Sequence, residues 1–332
     1  MLNYLIRRLL LIIPTLFLIS AVTFVIIQLP PGDYFDSMMA DLQASGEPAD
    51  AQKVEFLRHE YGLDKPMWMQ YGRWLGGLFR GDLGYSFEYD RPVSVIIGEH
   101  LALTAVVSFA AILVTWILAL PIGLYSATHK HRWGDHLLTF LAFLGLATPD
   151  FLLALVLMFV SFALLGVSVG GLFSPSMQGA SWSWAKVADL LTHLWIPVLV
   201  IAAGGTAGMI RRLRANLLDE LKKPYVVTAR AKGLSPLRLL LKYPLRIAIN
   251  PFVSDIGSLL PQVISGSIIV SIVLSLPTTG PMLLRALRTQ DMYLAGSFLM
   301  LLALLTVIGV LVSDIALAVL DPRIRQGSGR SR

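Results

Sequence analysis

Two long stretches of this chain carry no charge. Leu9 to Leu29 runs for 21 residues and Leu101 to Tyr125 for 25 without an Asp, Glu, Lys or Arg. At about 1.5 Å per residue, each as a helix reaches across the roughly 30 Å of bilayer hydrocarbon. Hydrocarbon offers no partner to backbone N–H and C=O groups, so such stretches must satisfy them internally, as helices. Leu137 to Val169 adds 33 residues in which Asp150, directly after Pro149, is the one charge. That segment is too long for one perpendicular crossing. It reads as a single crossing, kinked or broken near Thr148-Pro149, with an interfacial end. Apolar runs at 190–210, 256–276 and 292–320 bring the expected crossings to six.

Composition agrees. Of 332 residues, 55% are hydrophobic and 14% charged, and mean hydropathy is +0.69. Soluble domains carry about a quarter charged residues. The expected fold class is an all-α integral membrane protein. Cysteine is absent, which excludes a disulfide framework, thiolate chemistry and cysteine-bound zinc.

Basic loop residues set the orientation, because they stay on the cytoplasmic side. With the N-terminus inside, segments 1–8, 126–136, 211–255 and 321–332 hold 18 of the 27 Lys and Arg. The chain is therefore expected N-in and C-in. This asymmetry accounts for the net charge of +6 without nucleic acid as a partner. Residues 1–29 comprise the N-terminal segment and a retained first span, since no small-residue cleavage site follows the apolar run. Residues 30–100, with 12 Asp and Glu against 6 Lys and Arg, form a small acidic extracytoplasmic domain between the first and second spans. Trp68, Tyr71 and Trp74 recur there at helical spacing, suited either to an interfacial helix or to a minor core. Residues 101–332 form the membrane core, with spans at 101–125, 137–169, 190–210, 256–276 and 292–320 and a cytoplasmic loop at 211–255.

Several chemistries find no support. The chain has no Gly-Lys dipeptide, so it cannot carry a Walker A phosphate loop. Gly166-Val167-Ser168-Val169-Gly170 matches a G-x-S-x-G nucleophile pattern, but at the outer end of a span Gly and Ser are ordinary packing residues. His129, His131 and His136 with Asp135 could form only a weak metal site, and a solvated basic loop explains them more simply. Asp150 and Asp314 are the only carboxylates within spans, too few for an ion-coupled relay. Energy for uphill transport must come from another subunit.

The 211–255 loop is the most informative stretch, with ten Lys and Arg. Ile210 to Leu218 extends the fourth span as a basic amphipathic helix, which Lys223-Pro224 ends. Tyr225 to Lys232 reads as a short helix closed by Gly233. Pro236 to Arg246 then starts another helix, with Leu237, Leu240, Leu241 and Leu245 on one face and Arg238, Lys242 and Arg246 on another. A short helix held between two basic helices can seat in a cleft of a soluble partner; without one it would rest on anionic lipid.

At these residues the sequence resembles the cytoplasmic loop of dipeptide/oligopeptide-type ABC importer permeases. The resemblance rests on Tyr225-Val226-Val227-Thr228-Ala229-Arg230-Ala231-Lys232-Gly233-Leu234, followed by Leu245-Arg246, Ala248 and Asn250-Pro251. It continues through Tyr4-Leu5-Ile6-Arg7-Arg8-Leu9, Leu29-Pro30-Pro31-Gly32-Asp33, Tyr61-Gly62-Leu63-Asp64-Lys65-Pro66, Gly81-Asp82-Leu83-Gly84-Tyr85-Ser86 and Leu320-Asp321-Pro322-Arg323-Ile324-Arg325. Thr228 stands where the broader importer pattern has an acidic residue, and Tyr243-Pro244 and Ile247 also depart from the pattern. The resemblance implies a type I importer permease in the bacterial inner membrane. Tyr225, Thr228, Ala229, Arg230, Ala231, Lys232 and Gly233 would form the helix that couples to an ATPase. The implied partners are a second homologous permease, two ATP-binding cassette subunits, an extracytoplasmic solute-binding protein and membrane lipid. The chain itself would be no enzyme and hold no cofactor, ATP and Mg belonging to the cassette subunits.

Within the fifth span, Ser258, Gln262 and Ser265 share one face, with Ser271 further along. They suit a translocation path, or ordinary helix–helix hydrogen bonding. Oligopeptides are the expected cargo and oligosaccharides the alternative. A serine hydrolase built on Ser168 and a stand-alone channel are the competing classes, and the 211–255 loop argues against both.

Overall fold

In the computed structural model, residues 2–45, 51–166, 170–250, 252 and 268–320 are described. Two compact units emerge, Met1–Thr104 with Thr278–Ile308, and Ala105–Pro277 with Gly309–Arg332.

The first unit opens with α1 (Leu2–Gln28), followed by α2 (Tyr34–Ser45), α3 (Ala51–Tyr61) and α4 (Met67–Phe79). A two-residue hairpin pairs β1 (Tyr85–Ser86) with β2 (Arg91–Pro92), and α5 (Val93–Thr128) begins directly after it. The aromatic triplet of α4 divides between its two expected roles. Trp74 is 2% exposed, packs at a tilt against Phe24 and donates from Nε1 to Ser297 Oγ at 3.3 Å. The Tyr71 hydroxyl lies 2.8 Å from Ser20 Oγ of α1. Trp68, on the other face, is 68% exposed. Burial of Asp291 ties the hairpin to the remainder of this unit. Its carboxylate accepts from Ser86 Oγ at 2.6 Å, the Glu88 amide at 3.2 Å and the Leu294 amide at 3.1 Å.

The second unit contains α6 (Trp133–Ala147), α7 (Asp150–Leu165) and α8 (Trp184–Glu220). Thr148 leaves the helical region (φ −84, ψ 122) because the following proline disfavours helix, and Pro149 caps α7. The two helices meet at 98°, a full corner rather than a kink. In contrast, α8 runs unbroken for 37 residues, about 55 Å, so basic Arg211–Arg214 continues the same rod as its apolar half. Short helices α9 (Pro224–Ala231), α10 (Pro236–Lys242) and α11 (Pro244–Ala248) follow, then α12 (Ile268–Val273). Remaining are α13 (Thr279–Arg288), in the first unit, and α14 (Met292–Leu320), which like α5 contributes to both units.

Among the described residues, four helices are long and apolar enough to cross a membrane: Leu10–Gln28, Val93–Thr128, Trp184–Glu220 and Met292–Val312. The bent pair Trp133–Gly145 and Asp150–Leu164 makes a fifth if it counts as one span. Most of the expected 256–276 span, including Ser258, Gln262 and Ser265, lies outside the described residues, as does Ser168.

Candidate functional site: the loop beyond α8

The end of α8 is set by its own sequence. Lys223 sits at φ −69, ψ 147 before Pro224, which occupies the first position of α9 where its missing N–H removes no bond. The 8-residue helix spans about 12 Å. Its far end closes in a paired hydrogen-bond cap. The Gly233 amide donates to Arg230 O at 3.0 Å and the Leu234 amide to Ala229 O at 3.3 Å. This motif needs a left-handed residue between them, and Gly233 supplies φ +78. The cap also folds Leu234 against Val226, Ala229 and Leu239, giving α9 a small apolar underside.

A second anchor holds the near end. The Tyr225 hydroxyl donates to Glu220 Oε2 at 2.6 Å, tying the second residue of α9 to the last of α8. Burial first, and the Glu220 carboxylate second, push the Tyr225 phenol well above its ordinary value, so it stays protonated and a donor. Thr228 Oγ1 bonds back to Pro224 O at 3.1 Å. Val227, Thr228, Arg230, Ala231 and Lys232 are left exposed on the outer surface of α9. Of the seven expected coupling residues, Ala229 is buried and Tyr225 half-buried, Thr228, Arg230, Ala231 and Lys232 present the outer face, and Gly233 supplies the turn.

The helix expected over 236–246 is two helices, because Pro244 has no N–H with which to continue α10. Tyr243 breaks the chain at φ −120, ψ −76, and α11 restarts on Pro244. The expected leucine face is redistributed. Leu239, Leu240, Pro244 and Ala248 turn inward, whereas Leu237 and Leu241 are exposed. Leu240 and Ala248 then pack with Leu213 and Leu217 of α8, so α10 and α11 brace the lower half of the long helix.

Sequence reasoning missed the ion pair that joins α6 to α8. Arg214 donates from Nε and an Nη to the two oxygens of Asp135 at 2.9 and 2.8 Å. Asp135, 1% exposed, also accepts from Ser126 Oγ at 2.5 Å and the His131 amide at 3.0 Å. Seventy-nine positions separate Asp135 from Arg214, so no local pattern announces the pair. Of the histidines nearby, His129 stacks on Tyr125 at 4.5 Å. Among the described residues, no group of three His, Cys, Asp or Glu could hold a metal. Of the expected path residues, Ser271 is described; it is buried in α12 and its Oγ has no hydrogen-bond partner.

Known proteins are similar to this chain over almost its whole length. Residues 119–326 match the family described as binding-protein-dependent transport system inner membrane component, and residues 1–108 match that family's N-terminal component. The oligopeptide transport system permease protein AppB of Bacillus subtilis (strain 168) is 33% identical over 322 residues, 97% of this chain and 98% of that protein. The glutathione transport system permease protein GsiC of Escherichia coli (strain K12) is 33% identical over 325 residues, 98% of this chain and 99% of that protein. Long apolar helices and a two-part match covering most of its length lead to one conclusion: this chain belongs to the binding-protein-dependent transport system inner membrane components, as a multi-pass membrane permease.

Proposed function

We propose that the chain is one of two membrane subunits of an ATP-driven importer of oligopeptides in a bacterial inner membrane. It crosses six times with both termini inside, and residues 30–100 form a small domain on the outer side, where a solute-binding protein delivers cargo. A second homologous permease completes the path, to which Ser258, Gln262, Ser265 and Ser271 contribute polar groups. Two cassette subunits bind ATP and Mg and perform the hydrolysis; this chain performs none. Peptide cargo follows from the relatives, whose names specify oligopeptide and glutathione transport.

The observation that carries this reading is the construction of α9. An eight-residue helix with a capped end, an apolar underside and an exposed Val227, Thr228, Arg230 and Lys232 face is a rigid knob, suited to a cleft on a soluble subunit. When ATP closes the cassettes, that cleft moves and α9 moves with it. Tyr225 and Glu220 pass the displacement to α8, while Leu240 and Ala248 support the same helix from the side. The Asp135–Arg214 pair carries it on to α6. A 55 Å rod displaced at one end swings at the other, which is the physical content of alternating access. Uptake of labelled oligopeptides and oligosaccharides by cells with and without the gene tests the reading. Loss of peptide uptake alone upholds it. Loss of oligosaccharide uptake alone reassigns the cargo, and loss of neither removes the importer reading.

A further inference from the structure

Between α6 and α8 lies a cavity of about 460 Å³, within the roughly 300–1,000 Å³ range of ligand pockets. The two helices run antiparallel, so polarity along the cavity follows position. At one end stand Arg211 of α8 and His136 of α6, both exposed. Asp135 also lines that end, but Arg214 neutralises it in a two-bond pair and three further donors occupy its oxygens. The Arg211 guanidinium makes no ion pair with a described residue. Beside Arg211 and on through one to two turns the walls are Ile210, Ala207, Phe140 and Phe143, with the two phenylalanine rings exposed. Trp133, one turn before the charged end of α6, is 90% exposed, as suits a side chain resting at headgroup level.

A positive mouth above an apolar trough has the polarity of one kind of molecule. We infer that this cavity binds an anionic phospholipid of the cytoplasmic leaflet, its phosphate held between Arg211 and His136 and an acyl chain lying along Phe140 and Phe143. The inference rests on the inside placement of the α6 start and α8 end in the topology proposed above. Basic pockets between spans on that side are suited to anionic headgroups. A zwitterionic lipid fits the trough equally well but gains less from the mouth, so headgroup charge is the discriminating variable. Position gives the lipid a function: it lies against α6 and α8, the two helices that the Asp135–Arg214 pair joins.

Native mass spectrometry of the full transporter, exposed to equal amounts of phosphatidylglycerol and phosphatidylcholine with identical acyl chains, tests this. The expected result is preferential retention of phosphatidylglycerol. Arg211→Gln combined with His136→Gln should remove that preference, Arg211→Gln alone lowering it about fivefold. Arg238→Gln, which alters an exposed cation away from the cavity, should leave it intact. Ala215→Phe, which blocks the mouth from an exposed position, should lower retention of phosphatidylglycerol while leaving Arg211 and His136 in place. Equal retention of both lipids by the wild type, or an unchanged preference in the double variant, would overturn the assignment. So would cross-linking of a photoreactive side chain at Phe140 to a second permease subunit, which would show protein covering the cavity. Lipid retention is read without transport, so a chain that fails to import peptides could still pass this test. Labelling a cysteine at Trp133 from each side of the membrane checks the topology separately.

Discussion

Gly233 offers the most direct test of how α9 is built. Its φ of +78 lies in the left-handed region, where an L residue costs about 1–2 kcal/mol. A Cβ added there meets nothing within 4 Å, so Gly233→Ala carries the backbone cost without a packing cost. That cost matches what the two cap hydrogen bonds supply, about 0.5–1.5 kcal/mol each. Alanine should therefore fray the end of α9 rather than unfold the loop. If only the capped form seats on a cassette subunit, and the cost just cancels the cap bonds, about half the population stays competent and the apparent affinity falls about twofold. Asparagine, which tolerates this conformation, should stay near wild type. Proline should do worst, since its φ is held near about −65° and it lacks the N–H that reaches Arg230 O. Titration of purified cassette subunit onto the detergent-solubilised permease reads the series, with expected order Gly, Asn, Ala, Pro. Alanine binding as tightly as glycine, or asparagine as poorly as proline, would refute the argument.

Three further perturbations follow from the same geometry. Arg214→Met leaves Asp135 buried without its cation and should destabilise the chain by about 3–5 kcal/mol, visible as lost monodisperse protein on size-exclusion chromatography. Tyr225→Phe removes the donor to Glu220 and should weaken the α8–α9 corner by about 1.5–3 kcal/mol, read as reduced stimulation of ATP hydrolysis by the permease, with expression unchanged. Burial raises the Asp291 carboxyl above its ordinary value despite its three donors, with the Arg285–Glu88 pair, Tyr34 and Tyr89 nearby. A carboxyl raised on folding stabilises below its unfolded value and loses that contribution as pH rises through the folded one. Melting temperature should therefore fall as pH rises above the ordinary aspartate range, and Asp291→Asn should flatten that slope.

What the sequence makes legible follows from which forces are local. Helical, membrane-spanning character is readable because hydrocarbon thickness demands long uncharged runs, and four such helices stand among the described residues. The ends of α9 are readable because proline and glycine act on their own backbone, at Pro224 and Gly233. The same logic places the α6–α7 break at Thr148-Pro149 but says nothing of its 98° angle, which packing decides. Pro244 carries an equally local signal, at which α10 gives way to α11; the leucine face expected over 236–246 divides, with Leu240 buried and Leu237 and Leu241 exposed. The Asp135–Arg214 pair has no local signature, because its partners meet only after α6 and α8 have packed. Trp74 and Trp68 differ by six positions on one helix, and only the presence of Phe24 and Ser297 decides which is buried.

Coupling of peptide import to α9 is the central claim, and one measurement addresses it directly. In cells lacking the chromosomal gene, uptake of a labelled oligopeptide is followed after restoring either the wild-type chain or Gly233→Pro at equal membrane abundance. The account predicts full uptake with the first and none with the second. Equal uptake with both chains would contradict it.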